Sequence, residues 1–596
     1  MRDGSPPKLH GHDTVQLQLS ATVAVSLQTG CRAPEGTSRN STDRVARARV
    51  VRIGRAYTKI FAGMHSPRRR WLVLVIGVAT ALLYFYRLGF APMMVGGDEA
   101  YFANHAHAIA TTGRDLDGRV LPLFFRIDIH TWYQPLLVYL MAAVFTVAQV
   151  SEAALRTPTA LIGVINVLLV YAVALRLLGR RRDAVIAALV MALTPVHFIL
   201  ARQGLDYIAP LPFVLGWLWC LLAALDTGRA RFAGAAGLLL GIGFYSYVAA
   251  WVVMPLCLLL SLAAVAPVER RIRLATAVVI GFGLPLMLLI AWLRLEPDTL
   301  AAIGARYGLD DTSSARTAFR YHVVQRRLSL YWDYFDPVYL FLAGSPNVTM
   351  STGKAGVFLI ACAVFLPAGI YDTLRRRGAR LIVLAGFLLA PIAPVLIDTG
   401  NAIQRSLVIV GFGALLSAIG ASVLLDQPRR AVRIAATLLL LAMPLQFAYF
   451  SRDYFTAYRL RAAGWIDPLN FDAVMRAIAA TETTAPVSRV YLSEALDDGE
   501  ARWRFYLAKY GREELWQRTW IIEPSGVNVW SVAARLDPVP LERNPPPEGS
   551  VFVVGAASPA VERLTGDGGC CATTQVIAGA SGEAVVTILK PRAPLY

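Results

Sequence analysis

Charge is scarce in this chain. Only 16% of its 596 residues are Asp, Glu, Lys or Arg, well below the roughly 25% usual in soluble domains, while 56% are hydrophobic. That argues against an ordinary soluble protein and for an integral membrane one. Lysine is rare, and the arginines gather in short clusters between apolar runs with no basic-aromatic stripe. The net charge of +18 therefore suits the rule that cytoplasmic loops are positive, and no nucleic-acid partner is expected. Six cysteines give neither a disulfide framework nor zinc spacing. Cys220, Cys257 and Cys362 lie inside apolar runs as small core residues, and the adjacent Cys570 and Cys571 are expected not to pair. Nucleotide motifs are missing too: Ser351-Thr352-Gly353-Lys354 lacks the upstream glycine of a P-loop. No internal repeat is evident, which weakens a transporter built from inverted halves.

Long apolar runs are present in number. Crossing a hydrocarbon core of roughly 30 Å takes about 20 helical residues. Windows of that kind fall near 71–87, 157–178, 184–201, 208–225, 232–248, 250–267, 273–293, 355–371, 381–397, 406–425 and 431–450. A further apolar helix is expected over 134–150. If it does not cross, the clusters at Arg68–Arg70, Arg180–Arg182, Arg229 with Arg231, Arg270 with Arg271 and Arg273, Arg375–Arg377 and Arg429 with Arg430 all fall on one side, which must be the cytoplasm. It is therefore read as a juxtamembrane helix at the outer interface.

The expected architecture is an all-α polytopic bundle of about eleven spans with a small C-terminal extracytoplasmic α/β domain. Residues 1–66, rich in Arg, Ser, Thr and Gly, read as a disordered cytoplasmic extension without a cleavable signal peptide. The membrane domain covers 67–450, with outer loops at 88–155 and 295–354, and 451–596 forms the α/β domain. Its predicted helices lie at 471–480 and 503–510, and its strands at 489–493, 520–523, 551–554 and 584–589. Abundant Arg and Ala with few lysines suit a bacterial inner membrane, with the C-terminal domain in the periplasm.

This topology puts the chemistry outside. Just beyond the first span stands Gly96-Gly97-Asp98-Glu99-Ala100-Tyr101, and farther along come His130-Thr131-Trp132-Tyr133-Gln134-Pro135. The plain reading of the acidic pair is a solvated turn capping a helix N-terminus. The chemical reading is a carboxylate at the mouth of the bundle that takes a proton from an acceptor hydroxyl, work typically worth roughly 10²- to 10⁴-fold in rate. Asp206, in Gln203-Gly204-Leu205-Asp206-Tyr207, is either a helix-end carboxylate paired with Arg202 or a second carboxylate of the same site. Arg405 opens the tenth span on the outer side, where the charge rule does not ask for it. It is either a snorkelling arginine or a fork for phosphate oxygens. The loop Tyr331-Trp332-Asp333-Tyr334-Phe335-Asp336-Pro337 reads first as an interfacial aromatic belt. His105, His107 and His197 read as surface or interfacial residues.

An acidic pair directly after the first span, a Pro-led juxtamembrane helix, Arg156 opening the second span and Asp206 closing the third resemble the GT-C glycosyltransferases over about residues 70–455. Within them the pattern is similar to family 39, the protein O-mannosyltransferases and lipid A aminoarabinose transferases. The resemblance implies transfer of a sugar from a polyprenyl-phosphate donor to a lipid, glycan or protein acceptor. It makes Asp98 the catalytic carboxylate, with Glu99 beside it and Asp206 facing the same cavity. Arg405 and Arg202 become donor-phosphate contacts, and Tyr101, His130 and Gln134 acceptor or sugar contacts. No cofactor is called for with certainty; a divalent metal, if used, would sit at Asp98 and Asp206. Gln134-Pro135 stands where relatives often have Lys-Pro or Pro-Pro, so a cationic contact to phosphate is absent there or supplied from elsewhere. The rival class is a transporter or flippase of lipid-linked glycans, which predicts ionisable residues in mid-span.

Overall fold

The computed structural model describes residues 67–127, 131–307, 320–483, 485–532 and 537–592. The expected extension over 1–66 and His130 lie outside them. Helix α1 (Pro67–Phe85) leads into α2 (Gly97–Thr112), a short antiparallel hairpin of β1 (Phe125–Arg126) and β2 (Trp132–Tyr133), and α3 (Pro135–Phe145). The hairpin makes the membrane-proximal part less than wholly helical. Pro135 opens α3, where a missing N–H costs nothing. With 11 residues α3 is about 16 Å long, too short to cross.

The bundle continues through α4 (Glu152–Leu178), α5 (Arg181–Ala192), α6 (Pro195–Leu200), α7 (Pro210–Thr227), α8 (Ala230–Gly243), α9 (Ala250–Val265) and α10 (Arg271–Leu295). After α11 (Thr299–Arg306) and α12 (Tyr321–Asp333) come α13 (Cys362–Arg376), α14 (Arg380–Leu389), α15 (Ile392–Leu396), α16 (Ile403–Ser406), α17 (Val408–Leu425) and α18 (Arg430–Phe455). Helices fall in all eleven apolar windows. Among the described residues, five helical segments are long and apolar enough to cross a membrane: Glu152–Leu178, Asp206–Thr227, Arg271–Leu295, Val408–Leu425 and Arg430–Phe455. Others are interrupted, as where Thr194-Pro195 divides α5 from α6, because proline cannot donate the helical bond.

Packing between these helices relies on small residues, as expected where lipid is as apolar as the core. A side chain at Gly369 of α13 would overlap the Leu416 carbonyl of α17, and one at Gly420 the Phe365 carbonyl. Leu284, Met287 and Leu288 of α10 and Leu438, Leu441 and Leu445 of α18 are exposed, the surface a lipid-facing helix presents. His197 is fully buried, hydrogen-bonded to the Tyr84 hydroxyl at 2.8 Å and 3.3 Å from Asn166 Nδ2. It is a bundle residue, contrary to the surface reading.

The C-terminal region adds α19 (Ala457–Ile466), α20 (Phe471–Glu482), α21 (Gly499–Tyr510) and a seven-stranded mixed sheet. Its strands are β3 (Val490–Ser493), β4 (Thr519–Ile522), β5 (Asn528–Ser531), β6 (Val539–Pro540), β7 (Val551–Gly555), β8 (Cys571–Ala578) and β9 (Ala584–Pro591), in the order β6-β5-β4-β3-β7-β9-β8. β3 runs parallel to β4 and β7, and the remaining pairs are antiparallel. The four predicted strands are β3, β4, β7 and β9; β5, β6 and β8 are additions. Cys570 and Cys571 are disulfide-bonded to each other, against expectation. Cys570 precedes β8, so the two side chains are not forced to opposite faces as they would be within a strand.

The boundary expected at 451 falls inside α18. Beyond it, the C-terminal region shares a core with the first outer segment. Phe102, Leu137 and Met141 pack in one buried cluster with Phe471, Met475, Trp503 and Tyr506.

Candidate active site

The first turn of α2 carries both acids of the pair, and a helical step of about 100° per residue sends them to different places. Glu99 turns into the protein and is 2% exposed. It accepts from the Gly96 amide at 3.1 Å, the return half of a capping box, and its Oε1 accepts from the Gly204 amide at 2.6 Å. Fully buried Arg156 donates to its two oxygens at 2.9 Å each, and to the Pro92 and Met94 carbonyls at 2.8 and 2.6 Å. Arg202, also buried, donates to the Tyr84, Arg87 and Ala91 carbonyls at 2.6, 3.0 and 3.0 Å, capping the end of α1. Neither Glu99 nor Arg202 lines the cavity beside Asp98. Tyr101 does not line it either.

Asp98 is exposed and opens on a cavity of about 160 Å³. The same walls hold Gln134, Asp206 and Arg405, so four of the predicted residues, far apart in sequence, meet. Tyr133 of β2 donates its hydroxyl to Asp98 Oδ1 and stacks on Phe102, with centroids 4.4 Å apart. Burial first, and then the charge of Asp98, hold the Tyr133 pKa well above the usual phenol value, so the hydroxyl stays a donor.

Across the cavity Arg405 donates from Nη1 to Thr399 at 3.1 Å, and its guanidinium lies 5.4 Å from the centre of the Tyr307 ring. Arg405 Nε and Gln134 Nε2 are buried with no partner among the described residues. Unpartnered buried donors are costly, and both belong to residues that line the cavity. A second guanidinium, Arg306 from the end of α11, lines the same cavity. It went unnoticed in the sequence, although it is outward by the same charge argument that singled out Arg405. It supplies a cation that Gln134 does not. Tyr207, Tyr247 and Tyr307 complete the wall. The aromatic stretch at the end of α12 packs elsewhere: Tyr331 donates to the Leu388 carbonyl at 2.9 Å, and Phe335 meets Phe387. Among the described residues no three His, Cys, Asp or Glu side chains gather as a metal site.

Every segment lining the cavity lies at one end of the bundle: after α1, before α7, between α8 and α9, after α10 and before α17. The arginine clusters lie at the other ends of these helices. There Arg182 Nη1 meets Asp426 at 2.9 Å, with Arg180 beside it.

A helical bundle with carboxylates and guanidiniums facing across a cavity at one end, beside an α/β region, is what the resemblance to the GT-C glycosyltransferases implied. Residues 130–293 match the family described as dolichyl-phosphate-mannose-protein mannosyltransferase. The chain shares the fold of ArnT from Cupriavidus metallidurans. With the undecaprenyl phosphate-bound form it aligns at TM-score 0.54 and 14% identity, covering 86% of this chain and 97% of that one. With the apo form the TM-score is 0.53 at 14% identity, over 88% and 98% of the two chains. No curated protein sequence matches.

Proposed function

We propose that the chain is a membrane glycosyltransferase that moves a sugar from a polyprenyl-phosphate donor to the hydroxyl of a lipid, glycan or protein acceptor. The observation that carries this reading is the meeting of Asp98 with Arg405 and Arg306 around one cavity, with the Arg405 Nε and Gln134 Nε2 donors unpartnered.

Asp98 serves as general base. Tyr133 fixes one carboxylate oxygen, leaving the other to accept the acceptor's proton as its oxygen attacks the anomeric carbon. Arg405 and Arg306 hold the donor phosphate and stabilise the charge that grows on it as the glycosidic bond breaks. The carrier leaves as polyprenyl phosphate. Asp206 favours positive charge at the sugar ring in an oxocarbenium-like transition state; a divalent ion, if one binds, takes Asp98 and Asp206 as its carboxylates. Glu99, Arg156 and Arg202 set the turn that presents Asp98. The ionisable groups of the cavity sit at helix ends and not in mid-span, which favours chemistry over passage of a glycan.

The membrane frame follows from the arginines. The end carrying Arg180–Arg182, Arg229, Arg270 and Arg429 faces the cytoplasm, and the cavity and C-terminal region face the periplasm of a bacterial inner membrane. Eleven spans cross. The test is to incubate purified protein with radiolabelled polyprenyl-phosphate sugars and a panel of lipid and glycan acceptors. Release of carrier phosphate together with acceptor labelling supports the reading; intact donor across the whole panel overturns it.

A further inference from the structure

The C-terminal region reaches the turn that holds the base. Asp498 is the residue before α21 and has a left-handed backbone, φ +47°, a conformation uncommon outside glycine and tolerated best by Asp and Asn. Its side chain lies against Gly97: a Cβ placed on Gly97 would overlap the Asp498 carboxylate and Cγ and stand 2.9 Å from its Cβ. Position 97 has no room for a side chain because Asp498 occupies that space, which gives Gly96-Gly97-Asp98 a physical reason.

Asp498 is itself anchored. Its carboxylate lies 3.6 Å from Arg502 Nη2. Arg502 is buried, donates to the Ile466 carbonyl at 3.2 Å and to the Asp497 carbonyl, and lies 3.6 Å from Asp467. Burial raises the Asp498 carboxyl above the usual range; Arg502 works against this, and the negative charges of Asp497 and Asp98 add to it. Asp498 does not line the cavity; it packs on the first turn of α2 at Gly97.

We infer that Asp498, held by Arg502, is a positioning residue for Asp98 that packs against Gly97 and fixes the Gly97-Asp98 turn, so that the C-terminal region is part of the catalytic apparatus. This rests on the glycosyltransferase reading above. The donor groups Arg405 and Arg306 come from other elements, so loss of the clamp lowers turnover without weakening donor binding.

The experiment compares wild type, Asp498→Asn, Asp498→Gly and Gly97→Ala as full-length purified protein. It measures kcat, donor KM and thermal unfolding with a radiolabelled polyprenyl-phosphate sugar. Glycine accepts the left-handed backbone and removes the clamp, so kcat should fall by about tenfold or more, the scale of a small misplacement of a reacting group. Donor KM should stay within about twofold. Asparagine keeps the shape and should retain more of kcat. Should Asp498→Gly fail to fold, Gly97→Ala, whose Cβ would displace the Asp498 carboxylate, carries the same kcat expectation. Wild-type kcat in the folded variants, or kcat and donor KM changing together with a matching loss of thermal stability, overturns the inference. No turnover by wild type itself overturns the underlying reading and this inference with it.

Discussion

Arg156 donates to both oxygens of Glu99 at 2.9 Å, and the pair is buried where α2, α4 and the segment before α7 meet. The neighbouring acids of the first outer turn therefore have separate work: Glu99 holds the turn, and Asp98 faces the cavity. Removing one partner of a buried ion pair leaves the other uncompensated and costs about 3–5 kcal/mol. Glu99→Gln and Arg156→Ala should each lower the unfolding temperature in detergent and reduce the yield of monodisperse protein. Asp98→Asn should do neither. Thermal unfolding of the three variants side by side checks this; an unchanged midpoint in Glu99→Gln would return Glu99 to the list of candidate bases.

Arg405 and Arg306 border the space left beside Gln134. A hydrogen bond to a charged group is worth about 1.5–3 kcal/mol, so Arg405→Ala should raise donor KM by about 10- to 100-fold while acceptor KM moves little. Arg405→Lys should restore part of this, because an ammonium keeps the charge but lacks the planar fork. Arg306→Ala should act in the same direction. Saturation curves in donor and in acceptor separate the effects, and an unaltered donor KM in Arg405→Ala would remove it from the phosphate site.

Hydropathy alone located helices at every expected window, because an apolar stretch in lipid must satisfy its backbone internally. It could not say how long each would run: the helix expected over 232–248 ends at Gly243 in the structure, where the chain turns toward Tyr247 and the cavity. In the C-terminal region the strands rich in Val, Ile and Leu were legible, whereas β8, with Thr573, Thr574 and Gln575 exposed, has little apolar signal. Asp98, Asp206 and Arg405 stood out because charge at that end of a span has no topological excuse. Arg202, expected beside Arg405 as a donor-phosphate contact, does not line the cavity. Nothing in the sequence tells an arginine that caps the carbonyls of Tyr84, Arg87 and Ala91 from one left open to a ligand; that depends on where α1 ends in space. The link between Asp498 and Gly97 was equally invisible, since it joins residues about four hundred positions apart.

The charge asymmetry fixes an orientation that labelling can check. In the otherwise cysteine-free protein, single cysteines at Arg114 in the first outer segment and at Glu583 between β8 and β9 should react in intact cells with a membrane-impermeant maleimide. A cysteine at Arg181 should react only after permeabilisation. Labelling at Arg181 in intact cells would overturn the eleven-span frame with the cavity outside.

The sharpest expectation concerns Asp98. Its carboxylate is held by the Tyr133 hydroxyl at one oxygen, and Asp98→Asn keeps nearly the same shape while losing the ability to take a proton. Turnover should fall by at least about 10²-fold, with insertion, unfolding temperature and binding of the polyprenyl-phosphate donor preserved. Tyr133→Phe leaves the carboxylate in place and removes only its hydrogen bond. Because the Tyr133 hydroxyl stays protonated well past the usual phenol range, this variant should lose a smaller factor, about 10-fold. Single-turnover rates measured beside donor binding in the same preparation distinguish a base from a binding group, since loss of a base lowers the first and spares the second. If folded Asp98→Asn turns over near the wild-type rate, the proton goes elsewhere. Asp206, the other carboxylate lining the cavity, is then the residue to change next.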